Sequence, residues 1–354
     1  MTHSAADQKP LRVLWLTDDR AGHRNKAAGV MHALERRRQI EVTELPIDWK
    51  WTPTRQMLGR LGATGLKLPP GWFLRNALPD GSFDLILSSG GSTQWPNAAL
   101  SARLSIPNIF CGSLRHFPES LFDVIPIPDP PRETAPFLRL DLLPSNISPD
   151  RAREAATAAF GRHDEEGVWA VLIGGDGQGF RWTVDGLREF AGSLATAASA
   201  RGIKLAVTTS RRTPPDGERV LREVLEQSGC LQVADWYHDR QEAPPPLAAL
   251  MGLAGKVLVT ADSISMTHEA ISSGRPVISI QPPVGEPGQR HLDVMQYQKD
   301  QGRLADFHLG GGEQLDAVAP DCGWQPISHD PGEALGEALL QRLAEIESSF
   351  RSAA

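Results

Sequence analysis

Four short loops carry the residue types that could do chemistry. In VTADSISMTHEAISSGRPV (259–277), apolar runs at 257–259 and 277–280 flank a polar stretch ending in Gly274-Arg275-Pro276. That is the pattern of strand, helix, glycine stop and strand. Asp262, Ser263 and Ser265 could each cap the helix, but Ser265, Met266 and His268 stand three residues beyond them. No Glu or Gln therefore completes a capping box, and Glu269 is left over. On a helix Asp262, Ser265, Glu269 and Ser272 fall at i, i+3, i+7 and i+10, one polar stripe that begins where backbone N–H groups point outward. The helix start at Ser263, Ile264 and Ser265 suits an anion through its partial positive charge, and Glu269 suits a pair of hydroxyls. A solvated carboxylate is the plain alternative.

The other three loops each follow an apolar, strand-like run. IGGDGQGFRW (173–182) has four glycines in six residues, and Gly174, Gly175, Gly177 and Gln178 could let backbone amides cradle an anion. It is neither GxGxxG nor a Walker loop, which takes support from dehydrogenase and P-loop ATPase assignments. VTTSRRTPP (207–215) sets Thr208, Thr209 and Ser210 beside Arg211 and Arg212, hydroxyl and guanidinium donors suited to phosphate oxygens. TDDRAGHRNK (17–26) offers Gly22 for close backbone approach and His23, just ahead of a helix, as a group that titrates near neutrality. Adjacent Asp18 and Asp19 read as a turn rather than a metal site, having no third acid nearby. Taken singly, each loop also reads as a solvated turn. Together they fit a nucleoside diphosphate joined to a hydroxylated group.

The elements that must position these loops alternate between strand and helix. LRVLWLT (11–17), a helix through AAGVMHALERRR and a strand at 40–45 open the chain as β-α-β. Strand signals follow at 83–91, 106–112 and 122–128, each closing on Gly, Ser or Pro, the pattern of a parallel sheet. Seven prolines between 126 and 149 interrupt the chain. A second series then runs through VWAVLIGG, IKLAVTTS, LQVADW, KVLVTAD and PVISIQP, separated by helices that include 217–228 and 247–253. The expected organisation is α/β, two Rossmann-like doubly wound domains facing a cleft. They span 1–150 and 151–330, and Leu335, Leu339, Leu343, Ile346 and Phe350 mark a terminal amphipathic helix at 331–354. In such sheets ligands settle at the carboxyl ends of the strands, where all four loops lie.

Bulk numbers bound the rest. A chain of 354 residues, 40% hydrophobic and 22% charged, fits a globular α/β protein of two domains. A net charge of −7 argues against a general nucleic-acid binder. Cys111, Cys230 and Cys322 suit reduced thiols, since their number is odd and their spacing wide. The opening MTHSAADQKP has no apolar signal core, and no apolar run reaches the roughly 18 residues of a membrane span, so the expected location is cytoplasmic. One segment reverses the local charge. Residues 49–79 hold five Lys or Arg, three Trp and no acid, a composition suited either to peripheral contact with the inner face of an anionic membrane or to packing against the first domain with the cations solvated.

TDDRAGHRNK, IGGDGQGFRW, TSRRTP and VTADSISMTHEAISSGRPV resemble the bacterial branch of the mitochondrial-fission (elongated mitochondria) family, over about residues 11–310. That family in turn resembles GT-B glycosyltransferases such as the lipid-linked N-acetylglucosaminyltransferase of peptidoglycan synthesis. The resemblance implies a nucleotide-sugar donor as co-substrate, no other cofactor and a hydroxyl acceptor that is lipid-linked in the peptidoglycan enzyme. It makes His23 the candidate base, with Asp19 as fallback or orienting group. It assigns the diphosphate to the Gly174–Gly179 loop and the ribose to Glu269 within the pattern Ser265, Glu269, Ala270, Gly274, Pro276, and in the transfer it implies the helix start at 263–265, the glycine loop and Arg211 serve the leaving group. Arg20-Ala21 stand where the transferase has glycines, and Ala261 stands where retaining members carry the first glutamate of a Glu-x7-Glu pair, which leans the reading towards inversion without a metal. Two rivals use the same fold: a nucleotide-sugar epimerase or hydrolase, and a non-catalytic scaffold recruited to a membrane.

Overall fold

The computed structural model describes residues 9–50, 57, 74–114, 117–282, 284–310, 315 and 323–353. The chain divides into two compact units, Met1–Asn146 with Pro331–Ala354, and Ile147–Asp330. Each is an α/β layer structure built on one parallel sheet.

In the first unit, strands β1 (Leu11–Thr17), β2 (Ile40–Pro46), β3 (Leu85–Ser89) and β4 (Asn108–Cys111) pair in the order β2-β1-β3-β4. β3 and β4 are buried at every position, as expected of strands covered on both faces. Helix α1 (Ala21–Glu35) carries the chain from β1 to β2, and α2 (Gln94–Leu104) carries it from β3 to β4. α1 begins earlier than the apolar periodicity indicates, because its first turn is polar and apolar residues recur only from Ala27. His23 therefore lies inside the first turn rather than ahead of it, its N–H bonded to the Arg20 carbonyl at 3.0 Å. The strand expected at 122–128 does not join this sheet as a full member. Val124 makes a single bridge to Ile109, after which β5 (Ile125–Ile127) pairs with β6 (Phe137–Arg139) in a ladder of its own.

The final helix, set apart in the sequence reading as 331–354, belongs with this unit. Leu335, Leu339 and Leu343 sink into the same cluster as Val30, Leu34, Leu85 and Leu87. Burial of each leucine is worth about 1.5–3 kcal/mol, which outweighs the long excursion of the chain. The basic, Trp-containing segment at 49–79 lies for the most part outside the described residues. Of its described parts, Trp49 bridges antiparallel to the buried Leu74, and its ring centroid is 6.2 Å from that of Trp95. Cys322 also lies outside them. No helix among the described residues is long and apolar enough to cross a membrane.

The second unit starts with α3 (Pro149–Phe160), capped by Ser148, and its sheet contains β7 (Glu165–Leu172), β9 (Lys204–Thr208), β10 (Leu231–Asp235), β11 (Ala254–Thr260), β12 (Val277–Gln281) and β14 (Leu304–His308). The order is β10-β9-β7-β11-β12-β14, which reads 3-2-1-4-5-6 when the six strands are numbered within the unit. Helices α4 (Val184–Arg201), α5 (Pro215–Ser228), α6 (Leu247–Leu253), α7 (Ile264–Ser272) and α8 (Gln289–Asp300) make the crossovers. Leu187, Phe190 and Leu194 of α4 pack with Val171, Leu205 and Val207 to form the core under one face. A short antiparallel pair stands apart from this sheet. β8 (Phe180–Arg181) follows the glycine loop and is met by β13 (Val284–Gly285), a strap that returns from the end of β12.

The contact of α3 with α6 depends on Gly252, where a Cβ would stand 1.8 Å from the Ala152 carbonyl oxygen. Gly252→Ala must push the two helices apart, and the expected loss is about 1–3 kcal/mol. Gly192, inside α4, has open space around it, so Gly192→Ala should stabilise by about 0.5–1 kcal/mol. Equilibrium urea unfolding of the two variants checks both signs.

Candidate functional site

The strand order of the second unit reverses between β7 and β11. Their crossovers leave in opposite directions, and a crevice opens at the carboxyl ends of the two strands. The loops of three sequence segments meet there. Gly174 N–H donates to Thr260 Oγ1 at 2.7 Å, which ties the start of the glycine loop to the end of β11. Thr213 Oγ1 donates to the Gly174 carbonyl at 2.8 Å and so ties in the loop after β9.

The glycines are required by how closely these loops approach. A Cβ at Gly174 would lie 2.2 Å from Asp262 Oδ2, and one at Gly177 would lie 2.3 Å from Arg212 Nη1. Gly175 has φ +137°, and a Cβ there would lie 2.0 Å from the Arg212 carbonyl oxygen. Gln178 is exposed at φ 52°, a left-handed conformation at the tip of the loop. Asp176 turns back to accept the Trp182 N–H at 2.9 Å, closing its own loop.

The basic loop presents a different arginine from the one favoured by sequence. Arg211 is exposed and has no ion-pair or hydrogen-bond partner among the described residues. The adjacent Arg212 lies along the glycine loop, with Nη1 3.4 Å from the carbonyl oxygens of Asp176 and Asp262 and Nη2 2.7 Å from Asp262 Oδ2. The hydroxyls expected to serve a ligand are engaged within the protein. Thr209 is buried, donates to Glu218 and accepts from the Tyr237 N–H, while Ser210 donates to the Gly174 carbonyl and accepts from the Arg212 N–H.

At the end of β11, Ser263 caps α7 by accepting from the Met266 N–H at 3.3 Å. The N–H groups of Ile264 and Ser265, the first two residues of the helix, have no carbonyl a turn earlier to bond. Of the expected polar stripe, Asp262 precedes the cap and so stands before the helix; Ser265 and Glu269 are half-buried on α7, whereas Asp262 and Ser272 are fully enclosed. Asp262, at 0% exposure, is the residue whose environment the sequence did not reveal. Its Oδ1 accepts from Thr260 Oγ1 at 2.5 Å, and its Oδ2 faces Arg212 as an ion pair without an aligned hydrogen bond. Burial pushes the carboxyl up to about 6, against the pull of the Arg212 charge and the Thr260 hydrogen bond.

The first unit has a comparable junction at its own reversal, between β1 and β3. His23 Nδ1 lies 2.8 Å from Asp18 Oδ2, and Ser92 Oγ donates to the same oxygen. The ring rests on Gly90, where φ is +99° and a Cβ would fall 2.1 Å from Nδ1. Thus Asp18 and not Asp19, which is exposed, orients the histidine. Burial works to raise the Asp18 carboxyl, but hydrogen bonds from Ser92, His23 and the Arg20 N–H, with the His23 charge, hold it below the ordinary aspartate value. An ionised carboxylate only accepts, so Nδ1 carries the proton and, in the neutral ring, Nε2 is the basic nitrogen. Ser92 and Gly90 were legible only as part of the polar close of a strand, SSGGST (88–93). Among the described residues no group of three or more His, Cys, Asp or Glu is arranged to hold a metal ion.

Comparison with known proteins places this architecture. The chain aligns over 95% of its length with the UDP-GlcNAc 2-epimerase of Neisseria meningitidis, solved with UDP-GlcNAc bound, at TM-score 0.56 and 13% identity, covering 100% of that chain. The UDP-GlcNAc 2-epimerase of Methanocaldococcus jannaschii gives TM-score 0.55 at 12% identity over 93% of this chain and 99% of that one. A UDP-glucosyltransferase from Polygonum tinctorium gives 0.52 at 12% identity, over 97% and 94%. At such identities the likeness shows the fold: two Rossmann-like α/β domains of the GT-B type. In sequence, the uncharacterized protein RP120 of Rickettsia prowazekii is 31% identical over 114 residues, 32% of this chain and 31% of that protein, so the chain spans about a third of the length of the curated relative it matches. The model of the family described as mitochondrial fission ELM1 matches residues 21–329, and the chain belongs to that family.

Proposed function

We propose that the chain is a glycosyltransferase that moves a sugar from a nucleoside-diphosphate sugar to a hydroxyl acceptor with inversion. The observation that carries this reading is the junction at the carboxyl ends of β7, β9 and β11. It sets two anion donors, the Arg212 guanidinium and the Ile264 and Ser265 N–H groups at the start of α7, beside a glycine loop whose own N–H groups from Gly174 to Gly177 are bonded within the protein, at the strand-order reversal of one sheet. A diphosphate suits that set, and Glu269, nearly two turns along α7, suits the two hydroxyls of a ribose. Binding of UDP-GlcNAc by the Neisseria epimerase of the same fold adds support by analogy.

In the proposed step the acceptor hydroxyl attacks the anomeric carbon while His23 Nε2 takes its proton. The bond from that carbon to the diphosphate breaks, and its electron pair leaves on the phosphate oxygen. Asp18 holds the imidazole in the required tautomer and stabilises its charge once protonated. Arg212 and the start of α7 offset the charge that develops on the leaving diphosphate. A lipid-linked acceptor is part of the proposal, because the composition of 49–79 suits an anionic membrane surface.

Calorimetry with UDP and UDP-GlcNAc should give saturable binding to the native protein. Glu269→Ala should weaken it by about 1–3 kcal/mol with thermal stability retained, and equal affinity in a folded variant would remove the ribose assignment. His23→Asn and Asp18→Asn should each lose turnover, by about a hundredfold or more, while nucleotide affinity stays near the parent value. Normal turnover in both variants would place the base elsewhere, and consumption of nucleotide sugar without any acceptor would favour an epimerase or hydrolase. Co-sedimentation with vesicles should rise with anionic lipid, fall with salt and drop when Arg55, Arg60 and Lys67 become Glu. Lipid-independent behaviour would leave a soluble acceptor as the better assignment.

A further inference from the structure

We infer that Asp262 is a positioning residue that couples nucleotide binding to proton uptake: its carboxylate holds Arg212 in the free protein, and on binding it releases the arginine to the diphosphate and takes one proton from solvent. This rests on the proposed nucleotide site.

The geometry puts one cation in the service of two anions. Asp262 is fully enclosed, and Arg212 is the ion-pair partner of its Oδ2 among the described residues. The groups packed round the carboxylate are otherwise neutral. Among the described residues they are Thr260 from β11, the Gly174 backbone and the Gly175 N–H from the loop after β7, and the backbone of Asp262 itself. Asp176, the nearest other acid in the sequence of that loop, directs its Oδ1 to the Trp182 N–H. Arg212 is unlike its partner in being open to solvent, its side chain 37% exposed. It lies against Gly177 and within 3.4 Å of the carbonyl of Asp262, the residue before the cap of α7, where a diphosphate would sit.

An arriving diphosphate competes for that guanidinium and adds negative charge close to a carboxylate that cannot reach water. Both effects favour the neutral acid. The carboxyl already stands at about 6 because of burial. Above that value the free protein carries Asp262 ionised, whereas the complex carries it protonated up to the higher value that the ligand imposes. Binding in this window takes up a proton, so affinity falls as pH rises, by at most about tenfold per pH unit for one whole proton. Below about 6 both states are protonated and the affinity levels off. By reciprocity, the proton strengthens nucleotide binding by the same factor that the nucleotide strengthens protonation.

The test is calorimetric titration of the full chain with UDP-GlcNAc, whose diphosphate does not itself titrate near neutrality, in two buffers of different ionisation enthalpy at about pH 7. The expected result is net uptake approaching one proton per bound nucleotide, with affinity falling between about pH 7 and pH 8. Asp262→Asn should bind with no proton exchange and a flat pH profile. Arg212→Gln should bind more weakly and also show little uptake, because without its counter-ion the buried acid is protonated before the ligand arrives. Having two variants, one on each partner, keeps the test decisive if the first fails to fold. Saturable binding with no proton uptake in the native protein overturns the inference and leaves the nucleotide site standing, and so does full uptake in either folded variant. If neither UDP nor UDP-GlcNAc gives saturable heat, the nucleotide site and the inference fall together.

Discussion

The second unit is organised round one constraint: a carboxylate with no exposure, Asp262, stands where the two halves of a parallel sheet diverge. An ion there needs a counter-charge and hydrogen bonds, and both come from loops that belong to neighbouring strands. Thr260 approaches from β11, Arg212 from the end of β9 and the Gly175 N–H from the end of β7. The glycines follow from this. Any side chain at Gly174 would occupy the space of the carboxylate, and any at Gly177 would displace the guanidinium. The glycine loop is thus first a consequence of close packing between three strand ends, and its N–H groups are spent on that packing: Gly174 donates to Thr260, Gly175 to Asp262, Asp176 to the Arg212 carbonyl and Gly177 to the Phe180 carbonyl.

The first unit arrives at a related arrangement from a different sequence. Here too an aspartate after a strand is enclosed at the reversal of strand order, here too it faces a basic side chain, and here too that side chain rests on a glycine of the loop from across the switch. The difference is in what is left open. Asp18 is held below the usual aspartate range by Ser92 and His23 and so serves a histidine as a fixed anion. Asp262 is the more deeply buried of the two, and burial lifts it above that range against the pull of Arg212 and Thr260. One carboxylate is built to stay charged and the other is poised to lose its charge, and the distinction comes from the deeper burial of Asp262, since each has three hydrogen-bond donors and one facing cation.

Much of the fold was legible in the sequence because parallel strands buried on both faces produce unbroken apolar runs, and β3, β7, β11 and β12 all show them. Which loops would matter followed from the same pattern, since ligands in such sheets gather at strand ends. Finer assignments depended on contacts that adjacent residues do not signal. Nothing in RR distinguishes Arg212 from Arg211, and nothing in DD distinguishes Asp18 from Asp19; only the direction of each loop decides which member faces inward. The early start of α1 and the allegiance of the last helix to the first unit were hidden for a similar reason. A polar first turn gives no periodic signal, and an amphipathic stripe shows that a helix is covered without showing by what.

One architecture can serve epimerases, transferases and non-catalytic proteins, so function is argued from the site. The energetic cost of Asp262 bears on that choice. A buried ion pair is seldom more stable than apolar groups filling the same volume, and this one leaves an oxygen without an aligned hydrogen bond. A scaffold that only had to keep its shape would gain by a neutral residue at 262, with no carboxylate to hold against Gly174. An enzyme that must hold an arginine in place until an anion arrives has a use for such a carboxylate. The nucleotide-binding reading explains both the expense of the junction and the exposure of its cation, whereas a purely structural role accounts for neither.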